Sequence, residues 1–288
     1  MKKLFTVVAM LIMALGASAQ EESENEGGLL SLFVEKFVNK ADADNIVVNN
    51  LRQEIMSGIT NSGRVHVVDV STFEGTDIPT QKSDRIKFLR DREDKFDFML
   101  EGTLNSVLSQ KSVSKDGTIT YEAVINYTLA LTDVDGGTLI KSDTFKDSYN
   151  VGGTADEAIL KAIERAGSRM KKYVNDNFKV EAAIEALDEI DLKKNSVKTC
   201  YVSTGSSMGI EKGQIFEVFA NIEVVGKQVR KKIGELKADE VMSEEMTHCS
   251  VKSGGPEIKK FFDDNIKLTV VSRAKKEALG GLGRSIGL

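Results

Sequence analysis

Few residues in this chain combine a reactive type with a useful spacing. It has two cysteines, Cys200 and Cys249, and two histidines, His66 and His248. In an oxidising compartment an even cysteine count predicts a disulfide. Closing that loop would stabilise the fold by roughly 4 kcal/mol on the chain-entropy account. Two buried thiols on separate strands fit the same spacing equally well. His248 adjoins Cys249, but neighbours on a strand point to opposite faces, so a Cys-His metal pair is not expected. His66 lies within RVHVVDV, on the face opposite Val65 and Val67, and reads as a half-exposed structural residue rather than a catalyst.

The familiar catalytic and nucleotide-binding spacings are absent. No H-E-x-x-H, G-x-S-x-G, C-x-x-C or Walker A pattern occurs. The GGLGRSIG run near the end lacks the preceding strand and following helix of a dinucleotide loop. Asp133, Asp135 and Gly136 fail the spacing of a calcium loop and read instead as a hairpin turn. Asp42 and Asp44 are explained by helix capping. The cluster Lys227, Arg230, Lys231 and Lys232 is either a solvated hairpin tip or a contact patch for anionic head groups or wall polymer. No catalytic, cofactor or metal residue is therefore nominated, and the chain reads as a non-enzyme.

The elements that position these residues fall into two groups. Leu29 to Val38 reads as a strand, followed by a helix with Val48, Leu51, Ile55 and Ile59 on one face and Gly63 as its stop. Arg64 to Val70 is a second strand, so the opening unit is a strand–helix–strand crossover with parallel strands. Residues 71–96 read as loop and short helix, dense in charge from Lys82 to Lys95. Three long strands follow, turning at Asp116-Gly117 and at Asp135-Gly136-Gly137. The middle one alternates cleanly, with Ile119, Tyr121, Ala123, Ile125, Tyr127, Leu129 and Leu131 on one face, which predicts an antiparallel meander with one wet side. Thr154 and Glu157 have capping-box spacing at the head of a helix lined by Ile159, Ile163, Ala166, Met170 and Tyr173.

Beyond residue 178 the strands are short and closely punctuated. They fall at Val197 to Ser203, Gln214 to Ala220, Lys232 to Met242, Thr247 to Lys252 and Ile266 to Ser272. The segment VEAAIEALDEID from Val180 is ambiguous between helix and strand. The expected fold class is thus α+β: a mixed sheet of about five strands with two main helices over residues 29–178, then a small all-β, barrel-like domain over 179–273. Residues 274–288 read as a flexible tail, and 20–28 as a disordered acidic leader.

The first nineteen residues place the protein. Lys2 and Lys3, the apolar run Leu4 to Leu15 and the small-x-small end Ala17-Ser18-Ala19 predict a signal peptide cleaved after Ala19. No cysteine stands near that cut to carry a lipoprotein anchor. The expected location is the periplasm, with peripheral outer-membrane association open. The net charge of −5 becomes −7 without the two lysines, which argues against nucleic acid as a partner. Outside the leader no apolar run reaches the length of a membrane span.

FVEKFVNK, the helix ending ITNSGR, VHVVDV, DFMLEGTL and LTDVDGGTLIKS together resemble the curli production assembly/transport component (CsgG-like) family over residues 29–178. Residues 205–220, GSSMGIEKGQIFEVFA, resemble the C-terminal domain of flagellar assembly protein T. The resemblance implies periplasmic or outer-membrane proteins that assemble, export or activate through protein contacts, without turnover of a substrate, and no cofactor is expected. Its readings are a non-catalytic interaction module for envelope assembly or export, an oligomeric outer-membrane secretion channel subunit, or an activator of a peptidoglycan synthase. A periplasmic hydrolase is the rival from another class. Partners would be envelope proteins, with homo-oligomers also open.

Overall fold

The computed structural model describes residues 29–73, 77–151 and 153–273. The predicted signal peptide with its cleavage site, the acidic segment expected over 20–28 and the tail expected over 274–288 lie outside the described residues. Strand β1 (Leu30–Val34), β2 (Val38–Asn39), helix α1 (Asn45–Thr60) and β3 (Val65–Asp69) build the opening unit. β1 and β3 run parallel, as the crossover predicts, with Leu30 against Val65 and Val34 against Asp69. α1 starts where Asp44 accepts a hydrogen bond from the Ile46 amide at 2.9 Å, and it buries Val48, Leu51, Ile55 and Ile59.

The first strand differs from expectation. It breaks after Val34 and resumes at β2 because Phe37 turns inward over Gly102. A Cβ at Gly102 would stand 2.3 Å from that ring, so only glycine admits this approach. The second strand also ends earlier than read, with a 3₁₀ turn at Val70–Phe73.

Helix α2 (Lys82–Arg90) leads into the meander of β4 (Phe98–Val113), β5 (Ile119–Asp133) and β6 (Leu139–Val151), followed by helix α3 (Ala155–Asn177). The sheet order is β3-β1-β4-β5-β6, with β2 pairing to β4. Thr154 Oγ1 accepts from the Glu157 amide at 3.2 Å, the N-terminal bond of the expected cap. Period-two alternation separates two cores. Leu32, Val34, Leu100, Leu104, Ile125, Tyr127 and Leu129 pack against α1 and α3. Phe33 and Met99 turn the other way and join Ile86 and Leu89 of α2 with Phe96 and Val134. Phe33, Phe73 and Phe96 meet edge to face at 5.5–6.1 Å.

The second half is a closed antiparallel barrel. Its strands are β7 (Glu181–Leu187), β10 (Thr199–Val202), β11 (Ile215–Val224), β12 (Lys227–Val241), β13 (Thr247–Ser253) and β14 (Leu268–Arg273), ordered β10-β13-β12-β11-β14-β7. Two short strands, β8 (Ile190–Asp191) and β9 (Ser196–Val197), form a side ladder. The ambiguous segment from Val180 is largely strand, and β7 closes the barrel between β14 and β10. One element was not anticipated: helix α4 (Gly255–Asp263), which opens with proline in its first turn and buries Ile258. Among the described residues no helix is long and apolar enough to cross a membrane.

Candidate interaction surface

The meander has one dry and one wet face. On the helix side Tyr127 is fully buried, and its hydroxyl donates to Asp147 Oδ2 at 2.9 Å. Burial and then the Asp147 carboxylate push the Tyr127 hydroxyl well above the usual phenol range, so it remains a donor. Arg169 of α3 donates to Asp147 Oδ1 through Nε at 3.1 Å and Nη2 at 2.5 Å. The buried carboxylate is therefore hydrogen-bonded and charge-paired, which burial requires.

The opposite face carries short polar side chains in rows across the strands. Asn126 Nδ2 donates to Ser106 Oγ at 2.6 Å, and Asn105 Nδ2 to Thr128 Oγ1 at 2.9 Å. Thr128 and Thr144 hydroxyls meet at 3.0 Å. Ser142, Thr144 and Lys146 on β6 are exposed. Among the described residues no strand pairs with the outer side of β6. That edge is partly guarded: Arg169 Nη2 donates to the Lys146 carbonyl at 3.5 Å, and Arg165 Nη1 to the Ser148 carbonyl at 3.4 Å. Alternate residues of an antiparallel strand turn both backbone groups to one side, so the even-numbered residues face outward here.

A second polar cluster sits at the carboxyl ends of β1 and β3. Arg52, buried in α1, donates to Asp69 through Nη1 at 2.9 Å and Nη2 at 2.5 Å, and to the carbonyls of Glu35 and Val34. Burial pulls the Asp69 carboxyl up, but hydrogen bonds from Arg52 and Ser71 outweigh it and hold it at about 2. Glu35 pairs with Arg85, yet burial keeps its carboxyl above the ordinary range. Arg85 also donates to the carbonyls of Pro79 and Thr80, and Lys82 pairs with Glu101. These bonds fasten the start of α2 to the sheet. Sequence reading missed the cluster. Its one local signal was a charge at Arg52, four residues after Val48 in an apolar stripe.

In the barrel, Cys200 and Cys249 are paired in register on adjacent strands, each wholly buried and present as a free thiol. The basic cluster lies on the β11–β12 hairpin, whose turn holds Val225 at φ 53° and Gly226 at φ 72°. Two of its four cations are engaged within the chain. Arg230 pairs with Glu181 at 3.2 Å and stacks over Phe219 at 4.7 Å. Lys232 pairs with Glu217 at 2.7 Å and Glu235 at 2.8 Å. Lys227 stands exposed beside the turn, and Lys231 is exposed further along β12, opposite Ala220.

His66 is exposed on β3. His248 Nε2 lies 3.1 Å from Asp188 Oδ2, with its ring 5.2 Å from that of Tyr201. Among the described residues no three His, Cys, Asp or Glu side chains converge to hold a metal ion. An open cleft of about 920 Å³ is lined by Glu211, Asp239, Glu240 and Glu244 among others. None of these four acids is buried.

No family model matches the chain, the families it resembles included, and no curated protein matches it. Solved structures do match part of it. A PelC dodecamer from Paraburkholderia phytofirmans is 15% identical, covering 50% of this chain and 88% of that one at a TM-score of 0.32. Lipoprotein GNA1162 from Neisseria meningitidis is 13% identical, covering 49% and 97% at 0.34. The LpoB C-terminal domain from Escherichia coli is 14% identical, covering 41% and 81% at 0.28. Likenesses at these scores carry no argument about what this chain does.

Proposed function

We propose that this protein is a non-catalytic, exported module that serves cell-envelope assembly or export by holding a protein partner on its meander. The uneven cover of the mixed sheet carries the reading. α1 and α3 bury one face, while among the described residues the Asn, Ser and Thr rows lie opposite and no strand pairs with the outer side of β6, which leaves that edge to an extended segment. A strand added at β6 would take over the Lys146 and Ser148 carbonyls from Arg169 and Arg165. The leader ending at Ala19 supports delivery to the periplasm, and the curli-type sequence pattern over 29–178 supports envelope work.

The membrane-channel reading gains less support. Past Val107 one face of the hairpin carries Ser109, Lys111 and Val113 beside Ala123, Tyr121 and Ile119, and the other carries Leu108, Gln110 and Ser112 beside Val124, Glu122 and Thr120. Ser109 and Lys111 interrupt the first face and Gln110 and Glu122 the second, where lipid contact calls for an unbroken apolar band. Activation of a peptidoglycan synthase is a special case of the leading reading, and its partner would be a penicillin-binding protein.

The test is photo-cross-linking in intact cells from Ser142 and Thr144 on β6, with exposed Lys193 as the control position. Discrete cross-linked species from the β6 positions alone are expected, and mass spectrometry names the partner. The same species from Lys193, or none from β6, would refute the docking role.

A further inference from the structure

We propose that Cys200 and Cys249 become a cystine across the β10–β13 seam, formed while the chain folds and then sealed inside the barrel. The two residues are direct partners in a register that runs from Thr199 against Ser250 to Val202 against Thr247. The Val251 amide donates to the Lys198 carbonyl at 2.8 Å, which makes residues 198 and 251 a hydrogen-bonded pair. Alternation along the ladder puts Cys200 and Cys249 in the same class. Pairs of that class hold their Cα atoms about 5.5 Å apart. A disulfide spans roughly 4.4–6.8 Å between Cα atoms, so the pair is within reach, and closing the bond draws the Cβ atoms in from the roughly 4.5–5.5 Å of directly opposite residues to about 3.5–4.5 Å.

Both side chains point inward, fully buried among Val202, Phe216, Leu236 and Ala238. Their neighbours Tyr201 and His248 bring their rings within 5.2 Å of each other on the outer face, which fixes the inward direction of the cysteines independently. The seam also has a use for a covalent tie. β10 is only four residues long, and its pairing with β7 on the other side is irregular between Tyr201 and Val202. Filling the core would need only two small apolar residues, with no demand that they face each other.

The order of events follows from burial. Inside the closed barrel neither thiol meets an oxidant, and burial pushes the Cys200 thiol up to about 12, leaving almost no thiolate. The reaction therefore belongs to the open chain. One protein thiolate attacks the disulfide of an external oxidant, a small-molecule or protein disulfide, giving a mixed disulfide and one released thiolate. The second protein thiolate attacks the mixed disulfide at the protein sulfur and releases the other. The two cysteines lose two protons and two electrons, and the oxidant's disulfide ends as two thiols.

The test uses the full chain and does not depend on the docking role. Reduced, unfolded protein is refolded with oxidised glutathione, then denatured and treated with a maleimide-linked polyethylene glycol. No labelling and a mass lower by two hydrogens are expected, with two labels restored by reduction. Folded, reduced protein given the same oxidant should react at least about tenfold more slowly. Two labelled thiols or a glutathione adduct from the refolding arm would overturn the cystine, and equal rates in both arms would overturn the order of events. The cystine form should melt on the order of 10 °C above the reduced form. The C200A/C249A variant should melt with the reduced form. Should it fail to fold, the labelling and mass still decide.

Discussion

Arg52 binds together three parts of the chain that sequence separates. Its guanidinium reaches Asp69 at the end of β3 and the carbonyls of Val34, the last residue of β1, and of Glu35 just after it. Removing one member of such a set costs more than the bond is worth, because the other is left desolvated. Asp69→Asn should therefore destabilise the protein by about 1–3 kcal/mol at pH 7. The pH dependence supplies the sharper check. The folded carboxyl titrates at about 2 against an ordinary 3.8, so the folded state binds fewer protons between those values. The contribution of Asp69 is fully present above about pH 5 and is lost as pH falls through 4 towards 2. Urea unfolding should show the gap between the two proteins closing over that window; a gap that stays constant would rule out the charged pair as its source. The pairing was not legible in the sequence, since Arg52 and Asp69 are 17 residues apart and meet only once β1 and β3 align.

At the scale of elements, much more could be read in advance. The alternation from Ile119 to Leu131 predicted which face of β5 is buried, and the capping residues Asp44 and Thr154 marked both long helices. These signals are local and repeat with the element's own period. What was not read depends on partners outside the segment. The all-β expectation for residues 179–273 left out α4, which Gly254-Gly255-Pro256 opens because proline fits a helix's first turn and the apolar Ile258, Phe261 and Phe262 then pack on the barrel. The segment from Val180 has the composition of a helix, yet β7 is needed to close the barrel, and that demand is invisible within twelve residues. The crossing of α1 and α3 belongs to the same class. Gly58 and Gly167 let the backbones touch, and a Cβ on Gly58 would fall 2.2 Å from the Gly167 carbonyl oxygen. Alanine gains up to about 1 kcal/mol of helix propensity over glycine. Here overpacking should win, so Gly58→Ala is expected to lower stability by about 1–3 kcal/mol. A thermal shift that rises instead would mean the helices part without cost.

The whole molecule depends on how the sheet meets the barrel. Gly209 lies against the turn after α1, where a Cβ would stand 2.3 Å from the Ser62 carbonyl oxygen. Beside it Arg64, only 2% exposed, donates from Nη2 to Gln214 Oε1 at 2.8 Å, while its Nε and Nη1 are buried with no hydrogen-bond partner among the described residues. Burial pushes the Arg64 guanidinium below the usual arginine range. Gln214 is held in turn, its Nε2 donating to the carbonyls of Ile215 and Arg273. An arginine from the first unit thus depends on a glutamine anchored by the barrel ladder, with Lys171 and Glu211 pairing at 2.6 Å at the same junction. Gln214→Ala should cost about 1–3 kcal/mol by stranding the cation, and calorimetry should show one unfolding transition broadening or splitting as sheet and barrel uncouple. Arg64→Met in the same background removes the stranded charge and should restore part of the loss. If Gln214→Ala unfolds as sharply as the unaltered chain and at the same temperature, the junction is held by apolar contact alone. In that case the orientation of the meander's open edge relative to the barrel owes nothing to Arg64.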